Sequence, residues 1–355
     1  MSFTRREIRE MKLAQELSQA WQNAVASGRI VNKFEASEGD PTGRWARGDR
    51  ISFGLAGSGD DIKYEAWNVR TAEPIEAAVD ERTIGDTGFV CQFNGYRALR
   101  PGGTPRTLGR QLDISPTPSE CRFGCQTRMR DLSLLNRAPL LQVRLQTSSW
   151  NAYHNANPFE KDGHFLWLPV QGEGELPTIP HLPQMLTREF VEDLVLLSRQ
   201  APELVIFFNS LHAGASVNHV HAQAVFHRKR LAIEDAATVQ YRGFTILDGY
   251  PAQGFCFSRD SEVSSVATAI EKLQTRGIPF NLILLGERML LVPRNADHEI
   301  VVEFPRGILA TMEVSGKIIT ADRQVYEQAT AADISSAFQK VTLDAKSLID
   351  AWESG

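Results

Sequence analysis

Residues 218–226 read Asn-His-Val-His-Ala-Gln-Ala-Val-Phe, and their side chains alternate between polar and apolar. This alternation predicts a β-strand over 219–226, because successive side chains of a strand point to opposite faces of its sheet. His219, His221 and Gln223 then share one face. The other face is apolar and can pack on a helix. Three polar side chains therefore line one side of this strand.

The loop before the predicted strand consists of short side chains. Ala213-Gly-Ala-Ser216 follows Asn209 and includes Gly214, so its backbone can approach a ligand closely. We expect exposed backbone amides of this loop and the hydroxyl of Ser216 to donate hydrogen bonds to phosphate oxygens. Such a loop beside histidines suits the transfer of a phosphorus-containing group.

Four of the eight histidines lie between 212 and 227. A neutral imidazole is nucleophilic near pH 7 when a partner fixes its tautomer, and we assign attack on phosphorus to His221. Spacing alone leaves open that His219 and His221 are buried hydrogen-bonding residues or metal ligands; the loop and Gln223 favour catalysis. His212 and His227 are interpreted as ordinary loop or surface residues.

Composition excludes several classes of protein. The chain has 355 residues, 42% hydrophobic and 23% charged, with a net charge of −5, which is typical of a globular enzyme and gives no basic field for binding nucleic acid polymers. We see neither a membrane-spanning apolar run nor a signal peptide, and four scattered cysteines argue against a disulfide framework. We therefore expect a cytoplasmic protein that does not associate with membranes.

Strand and helix patterns follow one another without regular βαβ alternation, which favours an α+β fold with a largely antiparallel sheet. Thr187 is predicted to cap a helix, 281–292 reads as a β-hairpin, and a last helix is predicted from Asp333 nearly to the end of the chain. We divide the chain into a helix with a polar linker, an N-terminal half with the histidines and a C-terminal half without them; the bounds are 1–62, 63–238 and 239–355.

The residues 218–223 resemble the histidine-triad superfamily in its transferase branch, whose pattern is His-x-His-x-Gln. Asn155-Ala-Asn-Pro-Phe-Glu-Lys-Asp-Gly-His164 is similar to the segment that precedes the histidine strand in that branch. Four further segments are similar to GDP-L-galactose and GDP-D-glucose phosphorylases, namely 88–94, 247–255, 313–316 and 326–330.

The resemblance implies two histidine-triad-like halves, each a largely antiparallel sheet with packed helices. It also implies that His221 attacks the α-phosphorus of a nucleoside diphosphate hexose, with GDP-hexose as the expected substrate. Hexose 1-phosphate would leave, and inorganic phosphate would release the nucleoside diphosphate. By the same matching, Gln223 holds a phosphate oxygen and His219 belongs to the catalytic motif.

The remaining roles also follow from the resemblance. Asn209, Gly214 and Ser216 are expected at phosphate or ribose, and Asn155 near the nucleotide. Pro158, Gly163 and His164 are interpreted as a turn and the start of a strand. No cofactor is required.

Three alternatives stay open at this point. A hexose-1-phosphate nucleotidylyltransferase and a dinucleoside polyphosphate phosphorylase would use the same intermediate, and a nucleotide-binding protein without catalysis would not form it. A sister family holds structural zinc with a cysteine pair and histidines that include the first one of the motif. The spacing of Cys121 and Cys125 permits such a site, but no third and fourth ligand is evident, so two free thiols are the preferred interpretation. Related enzymes include dimers, so a homodimer is a further expectation.

Overall fold

The architecture comes from a computed structural model, which describes residues 5–27, 29–30, 32, 34, 52–56, 63–67, 78–95, 97, 139–155, 158–170, 181–258, 263–305 and 307–353. The strands of these residues are β1 (Ser52–Ala56), β2 (Lys63–Trp67), β3 (Val79–Thr83), β4 (Val90–Asn94), β5 (Leu141–Arg144), β6 (Ser149–His154), β7 (His164–Val170), β8 (Leu204–Asn209), β9 (Ala222–Phe226), β10 (Ala237–Tyr241), β11 (Phe244–Asp248), β12 (Phe255–Ser258), β13 (Phe280–Leu285), β14 (Arg288–Pro293) and β15 (Lys317–Thr320). The helices are α1 (Arg5–Ala26), α2 (Arg188–Gln200), α3 (Val263–Thr275), α4 (Thr311–Val314), α5 (Arg323–Gln328), α6 (Ala331–Val341) and α7 (Ala345–Glu353).

A ten-stranded antiparallel sheet forms the centre, in the order β10-β11-β12-β14-β13-β8-β9-β7-β6-β5. It consists of two five-stranded halves with the same chain order, three strands, a helix and two strands, where the helix is α2 or α3. The pairing of β8 with β13 joins the halves into one sheet. This confirms the predicted α+β fold with two antiparallel halves; the domain bounds at 62 and 238 stay predictions.

Helices cover one face of this sheet. Val191, Leu194 and Leu197 of α2 are buried in a core that also contains residues of α1, α3 and α7. As predicted, Thr187 caps α2: its side-chain oxygen accepts a hydrogen bond from the amide of Phe190 at 3.3 Å. The apolar side chains of 220, 222, 224 and 226 belong to the same core, so the predicted apolar face of the histidine segment is confirmed.

A smaller sheet covers the other face. Its order is β15-β4-β3, with β15 parallel to β4, and it packs with α4 and α6 over a second apolar core that contains Phe207, Val225 and Ile283. Asn151 of β6, His164 of β7 and Gln223 of β9 lie on this side, because their neighbours along each strand belong to the core under the helices. The candidate site therefore lies on the face that the smaller sheet approaches.

Three predictions need correction. The strand begins at Ala222 and not at His219, because the amides of Val220 and His221 bond to residues 182–184 instead of a neighbouring strand. The last helix is divided into α6 and α7, since the chain bends at Thr342 to form a bridge with Arg294.

The third correction concerns the polar linker, predicted within 1–62. Residues 52–56 of that linker are a strand that pairs with β2. None of the helices in the described part of the chain is both long and apolar enough to cross a membrane.

Candidate active site

His221 lies at the centre of the predicted site and is buried. Its Nδ1 is 2.7 Å from the backbone oxygen of His219. A carbonyl oxygen only accepts hydrogen bonds, so Nδ1 carries the hydrogen and the lone pair of the neutral ring is on Nε2. The chain thus supplies the partner that fixes the tautomer, and Nε2 is the nucleophilic atom. His219 contributes to this arrangement through its backbone.

Gln184, which no sequence pattern predicts as a site residue, holds the backbone around His221. Its Oε1 accepts from the amide of His221 at 2.9 Å, and its Nε2 donates to the backbone oxygens of His221 at 3.1 Å and of Asn209 at 2.7 Å. This buried amide therefore fixes the nucleophile relative to the end of β8. A single glutamine in a stretch without periodicity gives no signal for such a role.

Gln223, His164 and Asn155 form a second group beside the nucleophile. The register of β7 with β9 pairs Leu166 with Gln223, so His164 and Gln223 lie on the same face. His164 Nε2 is 2.8 Å from Gln223 Oε1, and Asn155 Nδ2 is 3.4 Å from the same oxygen. The oxygen is occupied by these donors, so the amide nitrogen of Gln223 is the atom that can donate to a phosphate oxygen.

His164 thus belongs to the site, although the sequence analysis assigns it to the start of a strand. The ring of Phe159 packs against it with 4.3 Å between ring centroids. The smaller sheet holds this segment, because Gln92 Nε2 donates to the oxygen of Phe159 at 3.0 Å and Asn94 Nδ2 to that of Pro158 at 3.2 Å. Strand β4 lies in segment 88–94, one of those that resemble the GDP-hexose phosphorylases. By holding Phe159 it supports His164, which in turn contacts Gln223.

The loop 210–218 is held in place by hydrogen bonds and close packing that its short side chains do not predict. Gly214 has φ +106, and a Cβ there would lie 2.4 Å from the Cβ of Ala310, so the position requires glycine. Its amide donates to Oε1 of the buried Glu299 at 3.0 Å, and the amides of Ala213 and Ala215 donate to the oxygen of Ser210. The prediction of exposed amides is wrong for these three residues, and we expect phosphate donors from Ser216 onward.

Asn209 faces the C-terminal half. Its Oδ1 accepts from Asn281 Nδ2 at 2.8 Å and from Thr311 Oγ1 at 2.5 Å. The roles predicted for Asn209, Gly214, Ser216 and Asn155 at the substrate stay predictions. Neither Asn281 nor Thr311 is identified from the sequence, since each is an isolated polar residue far along the chain.

The other histidines lie outside this arrangement. His227 Nε2 is 2.9 Å from Glu234 Oε1, and His212 is in a turn with φ +61. The ring of His219 is buried edge-on against His181, at 5.2 Å between centroids. Cys121 and Cys125 lie outside the described residues. Within the described ranges no group of three or more His, Cys, Asp or Glu residues could hold a metal ion.

Comparison with solved structures identifies the class of fold. The yeast Ap4A phosphorylase Apa2 in complex with AMP superposes with a TM-score of 0.54 at 13% identity, covering 94% of this chain and 97% of that chain. A further crystal structure of yeast Apa2 gives a TM-score of 0.52 at 12% identity. The chain thus has the histidine-triad-like fold of these proteins.

Sequence comparisons narrow the relationship. Residues 228–350 match the family model described as GDPGP1-like, C-terminal domain. GDP-L-galactose phosphorylase 1 of Arabidopsis thaliana is 26% identical over 351 residues, which cover 88% of this chain and 73% of the relative. GDP-D-glucose phosphorylase 1 of Homo sapiens is 29% identical over 215 residues, which cover 56% of this chain and about half (52%) of the relative. The predicted resemblance to the GDP-hexose phosphorylases is confirmed.

Proposed function

We propose that this protein is a nucleotidyl-transferring phosphorylase that cleaves a nucleoside diphosphate hexose with inorganic phosphate. The observation that carries the proposal is the 2.7 Å contact between His221 Nδ1 and the backbone oxygen of His219, which leaves Nε2 as the nucleophile. The names of the relatives, GDP-L-galactose phosphorylase and GDP-D-glucose phosphorylase, support a GDP-hexose as the substrate.

In the first half-reaction, His221 Nε2 forms a bond to the α-phosphorus. The bond from that phosphorus to the bridging oxygen breaks, and hexose 1-phosphate leaves with the electron pair. A phosphate monoester has a second pKa near 6, so this leaving group departs at neutral pH without a general acid. The His221 ring becomes cationic, and the Nδ1 hydrogen bond to the carbonyl stabilises that charge.

In the second half-reaction, an oxygen of inorganic phosphate attacks the same phosphorus. The bond to His221 Nε2 breaks, the imidazole returns to its neutral form and the nucleoside diphosphate leaves. In both steps the Gln223 amide nitrogen donates to a non-bridging oxygen, where negative charge increases in the transition state. Its orientation is set by His164 at 2.8 Å from Gln223 Oε1.

The test is incubation with GDP-glucose, GDP-L-galactose, UDP-glucose and diadenosine tetraphosphate, each without an acceptor, with inorganic phosphate or with a different hexose 1-phosphate, followed by mass spectrometry. With phosphate, we expect GDP and hexose 1-phosphate to be formed over many turnovers. Without an acceptor, we expect an acid-labile nucleotidyl adduct on the protein and a single equivalent of released hexose 1-phosphate. Products that form equally without phosphate would contradict the phosphorylase. Turnover only with hexose 1-phosphate, or only of the dinucleotide, would assign one of the alternative transferases.

We also propose a cytoplasmic location and a homodimer. Cys91 and Cys256 are free thiols in this structure, which fits a reducing compartment. The dimer rests on the family resemblance alone. Cell fractionation tests the first proposal, and light scattering of the purified protein tests the second.

A further inference from the structure

A chain of buried polar side chains crosses from the C-terminal half to the end of β8. We propose that Arg294 and Asn281 are positioning residues, which orient the amide of Asn209 so that its nitrogen donates to a phosphate oxygen of the substrate. The inference rests on the proposed function and assigns a task to the half that lacks the catalytic histidines.

This row of hydrogen-bonded side chains begins at Arg294, which is fully buried and directly follows β14. Its Nε donates to the oxygen of Val341 at 2.8 Å, and its Nη1 donates to Asn281 Oδ1 at 2.6 Å. A guanidinium has donors only, so the atom of Asn281 that faces it must be the oxygen. Arg294 thereby decides which way the Asn281 amide points.

The orientation of the Asn281 amide determines which of its atoms faces Asn209. It is fully buried on β13, and its Nδ2 donates to Asn209 Oδ1 at 2.8 Å and to the backbone oxygen of Ala213 at 2.7 Å. The second bond has an obligatory acceptor, which independently requires nitrogen at this position. Asn281 therefore offers Asn209 a donor and never an acceptor.

Three donors converge on the side-chain oxygen of Asn209. Besides Asn281, Thr311 contributes its Oγ1 at 2.5 Å and its backbone amide at 3.2 Å. The oxygen of an amide is fixed by such a set, and its nitrogen then points away from the C-terminal half. Asn209 lies beside the nucleophile, because Gln184 Nε2 bonds to the backbone oxygens of both Asn209 and His221.

The loop of Gly214 is held by the same half. Glu299 accepts from the Gly214 amide at 3.0 Å, and Asn281 donates to Ala213 of that loop. Burial lowers the pKa of Arg294 to about 10, against the opposing charges of Glu299 and Glu313, so the guanidinium remains protonated at neutral pH. A buried charge adds little net stability compared with an apolar side chain. The burial of Arg294 is therefore explained better by the orientation that it gives to the Asn281 amide.

The experiment is a double-mutant cycle on the rate of adduct formation from GDP-glucose. Asn209→Leu removes the amide, and with it the proposed donor to phosphate, with little change in side-chain size. Asn281→Asp retains the bond from Arg294 but places an oxygen opposite Asn209, which turns the Asn209 amide around. We expect each single variant to slow adduct formation about 100-fold, as the loss of one transition-state donor does.

The double variant distinguishes a residue that acts through Asn209 from one that merely supports the fold. Positioning predicts that Asn209→Leu with Asn281→Asp is within about threefold of either single variant, since both remove the same donor. Multiplied losses, or a wild-type rate in Asn281→Asp, would overturn the proposal. Thr311→Val, which removes one donor and keeps the shape, replaces Asn281→Asp in the cycle if the latter does not fold.

Two controls separate this inference from the proposed function. Asn295→Asp replaces an amide by a carboxylate at the N-cap of the short 3₁₀ turn Ala296–His298, where Asp serves equally well, and should leave the rate unchanged. If the wild type forms no adduct, the proposed function fails, and the same cycle is read from GMP affinity by calorimetry. Equal GMP binding by wild type and both single variants would then overturn the positioning role.

Discussion

The two halves of the ten-stranded sheet connect their last two strands in very different ways. In the C-terminal half, β13 and β14 are joined by Gly286 and Glu287, an ordinary tight hairpin. In the N-terminal half, residues 210–221 stand between β8 and β9. This longer connection contains Gly214, Ser216, His219 and His221. The proposed chemistry thus lies in the longer of two equivalent connections, and the half with the short hairpin supplies the residues that hold it.

Removing the nucleophile should have the largest effect. We expect His221→Ala to reduce turnover by several orders of magnitude, because loss of a covalent nucleophile removes the intermediate itself. Phosphorolysis of GDP-glucose and labelling of the protein by radioactive nucleotide measure this loss. Glu287→Ala in the corresponding C-terminal hairpin is the matched control and should retain wild-type activity. A labelled His221→Ala protein would place the nucleophile elsewhere.

The next effect concerns Gln223. Gln223→Glu keeps an oxygen toward His164 and replaces the amide nitrogen by a second carboxylate oxygen, which repels the substrate phosphate. We expect kcat to fall about 100-fold or more, with the protein still folded. The control is Gln240→Glu on the exposed strand β10 of the other half. Equal kcat values for the two variants would show that Gln223 does not stabilise the transition state.

Substitution of a glycine by alanine should lower the stability of the protein by different amounts in the two connections. Gly286→Ala requires a left-handed backbone with φ +54 but meets nothing within 4 Å, so we expect a loss of about 1 kcal/mol. Gly214→Ala adds a collision with Ala310 and should cost about 3 kcal/mol in all. Urea denaturation measures both. Similar losses would mean that the Gly214 loop yields easily and is not held by the C-terminal half.

The smallest effect is a pH dependence of stability in the three-stranded sheet of β15, β4 and β3. Burial disfavours the charged form of Glu81, but the charge of Lys317 and hydrogen bonds from Lys229, Lys317 and Gln92 outweigh it and lower the pKa to about 2 from 4.5. A lowered carboxyl pKa stabilises the fold above pH 4.5, and this contribution is lost as the pH falls toward about 2.

Comparison of the wild type with Glu81→Gln isolates this term. The difference in their unfolding free energies should be constant near neutral pH and should shrink steadily below pH 4.5. Glu287→Gln, in the hairpin between β13 and β14, serves as the comparison and should show no such change below pH 4.5. A difference that does not change with pH would indicate that Glu81 contributes no ionic stabilisation.

The sequence predicts those features of the molecule that depend on local patterns of residues. Alternation assigns Val220 and Ala222 to the apolar core, and a short motif identifies His221 and Gln223. The start of β9 is predicted three residues too early, because alternating side chains do not reveal that Val220 and His221 bond to residues 182–184. Period two describes an extended chain, whichever partner receives its hydrogen bonds.

The anchors of the site leave no such pattern. Gln184, Asn281, Glu299 and Thr311 are single polar residues in apolar or irregular surroundings, and each acquires its role from a contact with a distant segment. His164 is at the start of a predicted strand, and only the register of β7 with β9 brings it to Gln223. Such information depends on tertiary pairing, which the order of residues alone does not give.

The span of the anchoring contacts has a consequence for biosynthesis. Asn281 and Thr311 lie 72 and 102 residues after Asn209. At about 5–20 residues per second, a ribosome needs roughly 5–20 s to add the segment between Asn209 and Thr311. During that interval the histidine loop has been synthesised, but the residues that orient it have not. The proposed site can therefore be completed only after the C-terminal half has been synthesised and has folded.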